Sequence, residues 1–316
     1  MRVYAIRRLL AAIPVVLLTS VIVFSLMRLV PGDALVAKIA ESGVASAEDI
    51  AQFKAEHGLD DPVAVQYLNW LGRIVTGDLG RSIYTGEPIA TSIKRSAPVT
   101  LQLGLLAGII SVCVGIPVGM VSAMKRNTAW DGGLRLFSIL GLSAPEFWTG
   151  TMAITFLGIW FHWIPPLGRH VFWEDPWGTA VQLIVPALLI GYRLSAVLAR
   201  MMRSTVLDIV RDDYIRTARA KGLQPRVVWL RHVLRNALLP VLTLLGGQVI
   251  VLVGGTVIIE TIFGLPGMGR LMLNAITFRD YPLVQSLVFL LAVMVVLTNL
   301  LVDLAYGLID PRVRYS

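Results

Sequence analysis

RDDYIRTARAKGLQPRVVWLRHVLRNALLP, running from Arg211 to Pro240, is a charged island between long apolar runs. Its bases are Arg211, Arg216, Arg219, Lys221, Arg226, Arg231 and Arg235, set against only two acids, Asp212 and Asp213. A segment this basic cannot lie in hydrocarbon, so it is a loop in water between two membrane spans. Asp212 and Asp213 suit a helix start, and Ile215, Ala218 and Gly222 follow at helical spacing. Gly222 suits the residue after a helix end, and Pro225 the first turn of a second helix. On that second helix Val227, Leu230 and Leu234 would share one face, with Trp229, Val233 and Ala237 beside them. The spacing therefore predicts two short helices joined at Gly222–Gln224, lying across one end of a membrane bundle. Two readings fit these residues alone: a basic hairpin resting on anionic lipid, or a docking element for a soluble partner.

The flanking sequence fixes the setting. The 316 residues are 56% hydrophobic and 15% charged, with mean hydropathy +0.72, which excludes an ordinary soluble protein of this size. The net charge of +8 comes from bases clustered between apolar spans, and no nucleic-acid-binding module is present. The lone cysteine, Cys113, sits in an apolar run and reads as a buried structural thiol.

Six spans are expected. Leu9–Met27, flanked by Arg2, Arg7, Arg8 and Arg28, is too long for a signal-peptide core and reads as an uncleaved first span with Arg28 snorkelling. An extracytoplasmic insert follows at 31–96, with a helix from Ser46 to Gly58 and another from Asp61–Pro62 to Val75. The turn-rich GDLGRSIYTGEP and a short amphipathic segment at Ile89–Arg95 complete it. The second span, Val99–Met124, carries Gly104, Gly108, Gly115 and Gly119 mostly on one side, for close helix approach. The third, Leu134–Trp160, breaks at Ala144–Pro145–Glu146. A proline and a carboxylate inside a span need protein or a water-filled cavity beside them, so Pro145 and Glu146 are pore-lining candidates; the alternative is a kink with Glu146 paired to a neighbouring helix.

Trp160, Trp163, Trp173 and Trp177 form an aromatic belt around His162 and His170, whose spacing fits no metal site. The fourth span, Ala180–Ala199, is interrupted by Arg193 and leads into the basic loop, for which the wider limits are 201–240. Val241–Ile259 is the fifth span and Leu283–Val302 the sixth. Between them Gly264, Pro266, Gly267 and Gly269 exclude a regular helix. Of the 28 Lys and Arg, 17 fall on the side of the N-terminus, nine of them between Arg200 and Arg235. The positive-inside rule thus puts the basic loop and both termini in the cytoplasm. The organisation expected is an all-α integral membrane protein: 1–30 with the first span, the insert at 31–96, and a core at 97–316.

No GxSxG, HExxH or Walker A motif is present, so neither an enzyme nor a self-sufficient ATPase is indicated, and no cofactor or metal site is expected. The Arg211–Pro240 loop resembles the cytoplasmic coupling loop of ABC importer permeases, whose pattern is Glu-Ala-Ala, three residues, Gly, then Leu-Pro. Arg216, Thr217 and Ala218 stand at the first three positions and Gly222 at the glycine; Arg235 stands where many such permeases have a first proline, the Leu-Pro coming later as Leu239–Pro240. RTARAKGL followed by RHVLRNALLP resembles the dipeptide/oligopeptide branch. IRRLLAAIPVVLLTSVIVFSLMRLVPGDA, HGLDDPVAVQYLNW, GDLGRSIYTGEPI and the stretch after Glu260 look like the first of two permease subunits in such importers.

That resemblance implies a bacterial inner-membrane permease that forms half of a path for peptides. Its partners would be a second, related permease, two cytoplasmic ATPase subunits that bind the ATP, and an extracytoplasmic substrate-binding protein, with membrane lipid around it. Tyr214, Arg216, Thr217, Ala218, Lys221 and Gly222 would sit at the ATPase contact. The competing class is a stand-alone proton-coupled transporter or channel, with Glu146, Glu260 and Asp303 in or near spans as proton relays.

Overall fold

The computed structural model describes residues 2–29 and 61–309. The predicted helix from Ser46 to Gly58 and the Arg312 and Arg314 tail lie outside them, as do the side chains of Arg28 and Asp303. The described residues are almost entirely helical, and five helices among them are long and apolar enough to cross a membrane.

Helix α1 spans Arg2–Leu29. Helix α2, Val63–Val75, starts at Pro62 as expected and ends where Gly77 turns the chain at φ 83°. It packs on α1 and the last helix through rings: Phe24 lies 5.3 Å from Tyr67 and 5.6 Å from Trp70, and Trp70 lies 5.7 Å from Phe289. The Tyr67 hydroxyl also meets Ser20 Oγ at 2.8 Å. Helix α3 runs unbroken over Ile89–Met124, 36 residues and about 54 Å long. The amphipathic segment expected at Ile89–Arg95 is therefore the first two turns of α3. Pro98, in the third turn of α3, lies inside the helix without ending it, so the chain passes from insert to span without a break.

Helices α4 (Ala129–Ser143) and α5 (Glu146–Phe161) meet at Ala144–Pro145, both extended, where the sequence predicted the break. With 15 and 16 residues, each is shorter than the roughly 20 residues a single crossing needs. Helix α6, Pro176–Ile209, has Asp175 as N-cap: Oδ1 accepts from the Gly178 N–H at 2.9 Å. Helix α6 is the most buried of the long helices and lies along α3. A Cβ at Gly115 would fall 2.8 Å from Leu198 Cβ, and one at Gly119 2.5 Å from the Ala199 carbonyl. These two glycines make the close approach; Gly104 and Gly108, expected to share it, face open space. Cys113 is likewise exposed rather than buried. Apolar positions on a membrane helix can face lipid as well as protein, so an apolar run does not tell which.

Helix α7 is Asp213–Ala220. Helix α8 follows as one continuous rod made of Pro225–Val227, a π-helical segment Val228–Leu234, and Arg235–Ile262. The predicted second hairpin helix and fifth span are thus a single element. The face also differs from expectation: Val228, Val233, Ala237 and Val241 are buried, whereas Val227 and Leu230 are exposed. The first of those intervals is five residues, which the i→i+5 turn of a π-helix brings into line and an α-helix does not.

Beyond α8 the chain turns at Gly264 (φ 67°) into α9, Met268–Thr277, and then α10, Tyr281–Ile309. Fully buried Glu260 organises this turn. Its carboxylate accepts from Thr100 Oγ1 of α3 at 2.6 Å and from the Arg270 N–H at 2.9 Å, while Thr100 Oγ1 accepts from the Met268 N–H at 2.7 Å. Thr100 Oγ1 and the Glu260 carboxyl thus share the free N–H groups at the start of α9. At the same end Asp280 accepts from Ser82 Oγ and, at 3.2 Å, from the Ile83 N–H. Tyr84 stacks on Phe278 at 4.1 Å, so the GDLGRSIYTGEP loop is pinned to the α9–α10 turn.

Candidate functional site

The basic hairpin is built from α7 and the first turns of α8. Asp212 occupies the N-cap position but makes no side-chain cap bond; instead Asp213, in the first turn, pairs with Arg216. The C-terminal end follows the sequence reading. The Gly222 N–H bonds to the Arg219 carbonyl at 2.9 Å and the Leu223 N–H to the Ala218 carbonyl at 3.4 Å, with Gly222 at φ 76°. That is the paired-bond, left-handed helix stop for which glycine is the favoured residue.

Helix α7 is two-faced. Ile215 and Ala218 are buried against Met120 and Ala123 of α3, Leu198, Met202 and Val206 of α6, and Val228, Val233 and Ala237 of α8. Tyr214, Arg216, Thr217, Lys221 and Gly222 are exposed. Five of the six predicted coupling residues thus form one outward face. Ala218, the sixth, points into the bundle and holds α7 on it. Tyr214 is tied to α8 by Asn236, whose Nδ2 donates to its hydroxyl at 2.9 Å.

Behind the hairpin lies an ion pair that sequence reasoning missed. Asp131, fully buried near the start of α4, accepts from Arg203 Nε at 2.9 Å and Nη2 at 3.0 Å, from Ser122 Oγ at 2.7 Å and from the Asn127 N–H at 3.1 Å. These donors, Arg203 foremost, hold its carboxyl well below the usual carboxylate range. The network ties α3, α4 and α6 together. The only sequence signal is an acid beside a basic turn; its partner lies 72 residues away.

The second predicted site is the α4–α5 break. Pro145 is exposed there, and Glu146 pairs with Arg193 of α6, its side chain 12% exposed against 40% for Arg193. Arg193, not Glu146, lines a cleft of about 470 Å³ between α6 and α8, together with Thr243, Gly247 and Gln248. Gln248 bridges helices, its Nε2 donating to the Leu194 carbonyl at 3.0 Å and its Oε1 accepting from Ser111 Oγ at 3.3 Å. The rest of the cleft wall is apolar, including Leu142, Leu194, Val197, Met201 and Leu244, so Arg193, Thr243 and Gln248 are isolated polar groups in it, not a catalytic constellation. Of the predicted aromatic belt, Trp160, Trp173 and Trp177 are exposed, and Trp163 lies 6.5 Å from Phe263.

Comparison with known proteins agrees with this geometry. The profile of the "Binding-protein-dependent transport system inner membrane component" family matches residues 115–315, and that of its N-terminal part matches residues 1–104. The chain is 42% identical over 310 residues to a protein of Brucella abortus (strain 2308) named as a peptide transport system permease, covering 98% of each. It is 39% identical over 336 residues, covering 99% of each, to the dipeptide transport system permease protein DppB of Escherichia coli (strain K12). Among solved structures, a chain of the MetNI methionine ABC transporter in an inward-facing conformation superposes with a TM-score of 0.55 at 20% identity. The match covers 71% of this chain and 99% of that one, a likeness of fold.

Proposed function

The chain belongs to the family of binding-protein-dependent transport system inner membrane components, and from that premise we propose how it works as the permease subunit of a peptide-importing ABC transporter. The observation that carries the peptide assignment is the 42% identity that runs over 98% of both chains. On this reading the chain forms half of a translocation path with a second, related permease. ATP is bound by two cytoplasmic ATPase subunits, and a substrate-binding protein delivers peptide from outside. Both termini and the hairpin are cytoplasmic, as the distribution of Lys and Arg favours.

The ATPase contact falls on the exposed face of Tyr214, Arg216, Thr217, Lys221 and Gly222. A displacement there is transmitted through Ile215 and Ala218 to α3, α6 and α8, the three helices with which they share an apolar cluster. Alternating access follows if those helices have two packings and ATP favours one. The cleft between α6 and α8, mostly apolar with Arg193, Thr243 and Gln248 as its polar groups, is the stretch of the path this chain contributes on that reading. A proton-coupled carrier is not favoured: it leaves the exposed hairpin without a role, and Glu146 and Glu260 are already engaged by Arg193, Thr100 and the Arg270 N–H.

The test is uptake of a labelled dipeptide into proteoliposomes holding the complex purified from native membranes. Uptake should require ATP, the ATPase subunits and the binding protein, and should be indifferent to a protonophore. Uptake that persists without the ATPases and collapses with the protonophore overturns the proposal.

A further inference from the structure

At the hairpin end, α3, α4 and α6 enclose a cleft of about 660 Å³ that the transport reading does not use. Arg126, Arg135, Arg200, Arg203 and Arg211 line it, against one lining carboxylate, Asp208. Arg203 and, at 3.6 Å, Arg135 are committed to Asp131. Among the described residues Arg126, Arg200 and Arg211 have no carboxylate partner. Three unpaired guanidinium groups around one concavity repel one another, and an anion in the cleft would relieve that cost. The rest of the wall mixes Ser122, Asn127, Ser138 and Ser204 with the apolar Val118, Leu134, Ile139, Leu142 and Leu207, and Ile139 and Leu142 continue the lining along α4 beyond Arg135.

We propose that this cleft holds an anionic phospholipid, its phosphate between Arg126, Arg200 and Arg211 and its acyl chains along Leu134 and Ile139. The charge selects a phosphate-bearing anion, since guanidinium forks match phosphate oxygens. The apolar continuation selects a lipid over free phosphate: a bare ion satisfies the arginines and leaves Ile139 and Leu142 to water. Basic pockets between membrane helices on the cytoplasmic side have this character. The site touches all three helices that Asp131 and Arg203 tie together, so an occupied cleft braces the frame against which the hairpin packs.

Native mass spectrometry of the intact complex, with phosphatidylglycerol and phosphatidylethanolamine of identical chains added in turn, tests this. The wild type should retain phosphatidylglycerol preferentially. R126Q/R200Q/R211Q should weaken that retention at least about tenfold. The matching triple lysine variant should keep the preference, which separates lost charge from lost fold. Ile139→Trp should reduce phosphatidylglycerol retention while leaving binding of inorganic phosphate unchanged. Equal retention of the two lipids, or a glutamine variant with its preference intact, overturns the proposal. So does displacement of the lipid by inorganic phosphate alone, which makes the cleft a free-anion site. Complete displacement by the ATPase subunits also overturns it, making the cleft a protein contact.

Discussion

Gly222 offers a test in which the chain's own stability and its coupling to a partner point in opposite directions. Its φ of 76° lies in the left-handed region, and a Cβ there would meet nothing within 4 Å. Any penalty a substitution imposes on the isolated chain is therefore backbone strain, not steric clash. For alanine that strain is about 1–2 kcal/mol; for aspartate it is smaller, because a short polar side chain tolerates this conformation. Against a net stability of about 5–15 kcal/mol both variants stay folded. The isolated chain should thus rank wild type, then Gly222→Asp, then Gly222→Ala in thermal stability. A contact with the ATPase inverts the order of the variants. Alanine adds one methyl to the interface, whereas the aspartate charge must be desolvated there and competes with the partner's acidic groups for Arg216 and Lys221. Burying such a charge imperfectly paired costs several kcal/mol. Each 1.4 kcal/mol is a factor of ten in association. ATP-driven dipeptide uptake should therefore fall at least about tenfold further in Gly222→Asp than in Gly222→Ala. The assays are thermal melting of the purified chain and uptake by the reconstituted complex. Uptake that tracks melting temperature, with alanine the worse variant, refutes the placement of Gly222 at a partner surface.

Two further outcomes rest on the ends of the bundle. Gly267→Ala places a Cβ 2.3 Å from the Glu260 carboxyl carbon, so the α8–α9 turn must shift; a loss of about 1–3 kcal/mol is expected by thermal melting. The control Gly133→Ala, in open space on α4, should be neutral or slightly stabilising, and equal losses in both would exclude the Glu260 clash as the cause. At the other end, Asp131 has its pKa lowered on folding. Its contribution is therefore complete above the unfolded value of about 3.9 and is lost as pH falls through and below it. Asp131→Asn should melt several degrees below wild type from neutral pH down to about 5, with the gap closing under about pH 4; a gap independent of pH refutes the ion-pair account.

What was legible in the sequence was what neighbours in the chain decide. The Gly222 stop, the Pro225 start, the break at Ala144–Pro145 and the turn after Glu260 each depend on residues within one helical turn, and each stands where the residues indicated. What was not legible depends on partners distant in the chain. Asp131 finds Arg203 across 72 residues, and Glu260 finds Thr100 across 160. The π-helical segment arises because Val228 and Val233 are both drawn into one cluster five residues apart, a demand that comes from α3, α6 and α7 and leaves no local mark. The same absence of rotational information explains Gly104, Gly108 and Cys113. In water an apolar residue on a helix has one favourable direction to face; in lipid it has two. The broken third span shows a related limit, since summed hydropathy joins α4 and α5 while Pro145 separates them into segments too short to cross alone.

The two ends of the molecule are held by different kinds of contact, and the difference bears on how a push at the hairpin is used. At the end away from the hairpin the fixings are directional: Glu260 to Thr100 and the α9 N-terminus, and Asp280 to Ser82 and Ile83. Breaking either leaves a buried carboxylate short of donors, which is costly and all-or-none. At the hairpin end Asp131 welds α3, α4 and α6 by bonds of the same directional kind. Helix α7 and the first turns of α8, by contrast, meet that frame through Ile215, Ala218, Val228 and Val233, side chains with no polar atom, the Gln248 hydrogen bonds lying further along α8. Apolar contacts have no preferred angle, and sliding one such surface on another trades equivalent dispersion contacts instead of losing them. The least expensive relative motion is thus α7 with the first turns of α8 shifting across a rigid α3–α4–α6 frame. The π-helical segment lies on that sliding surface, where its extra residue per turn can change register without breaking the rod.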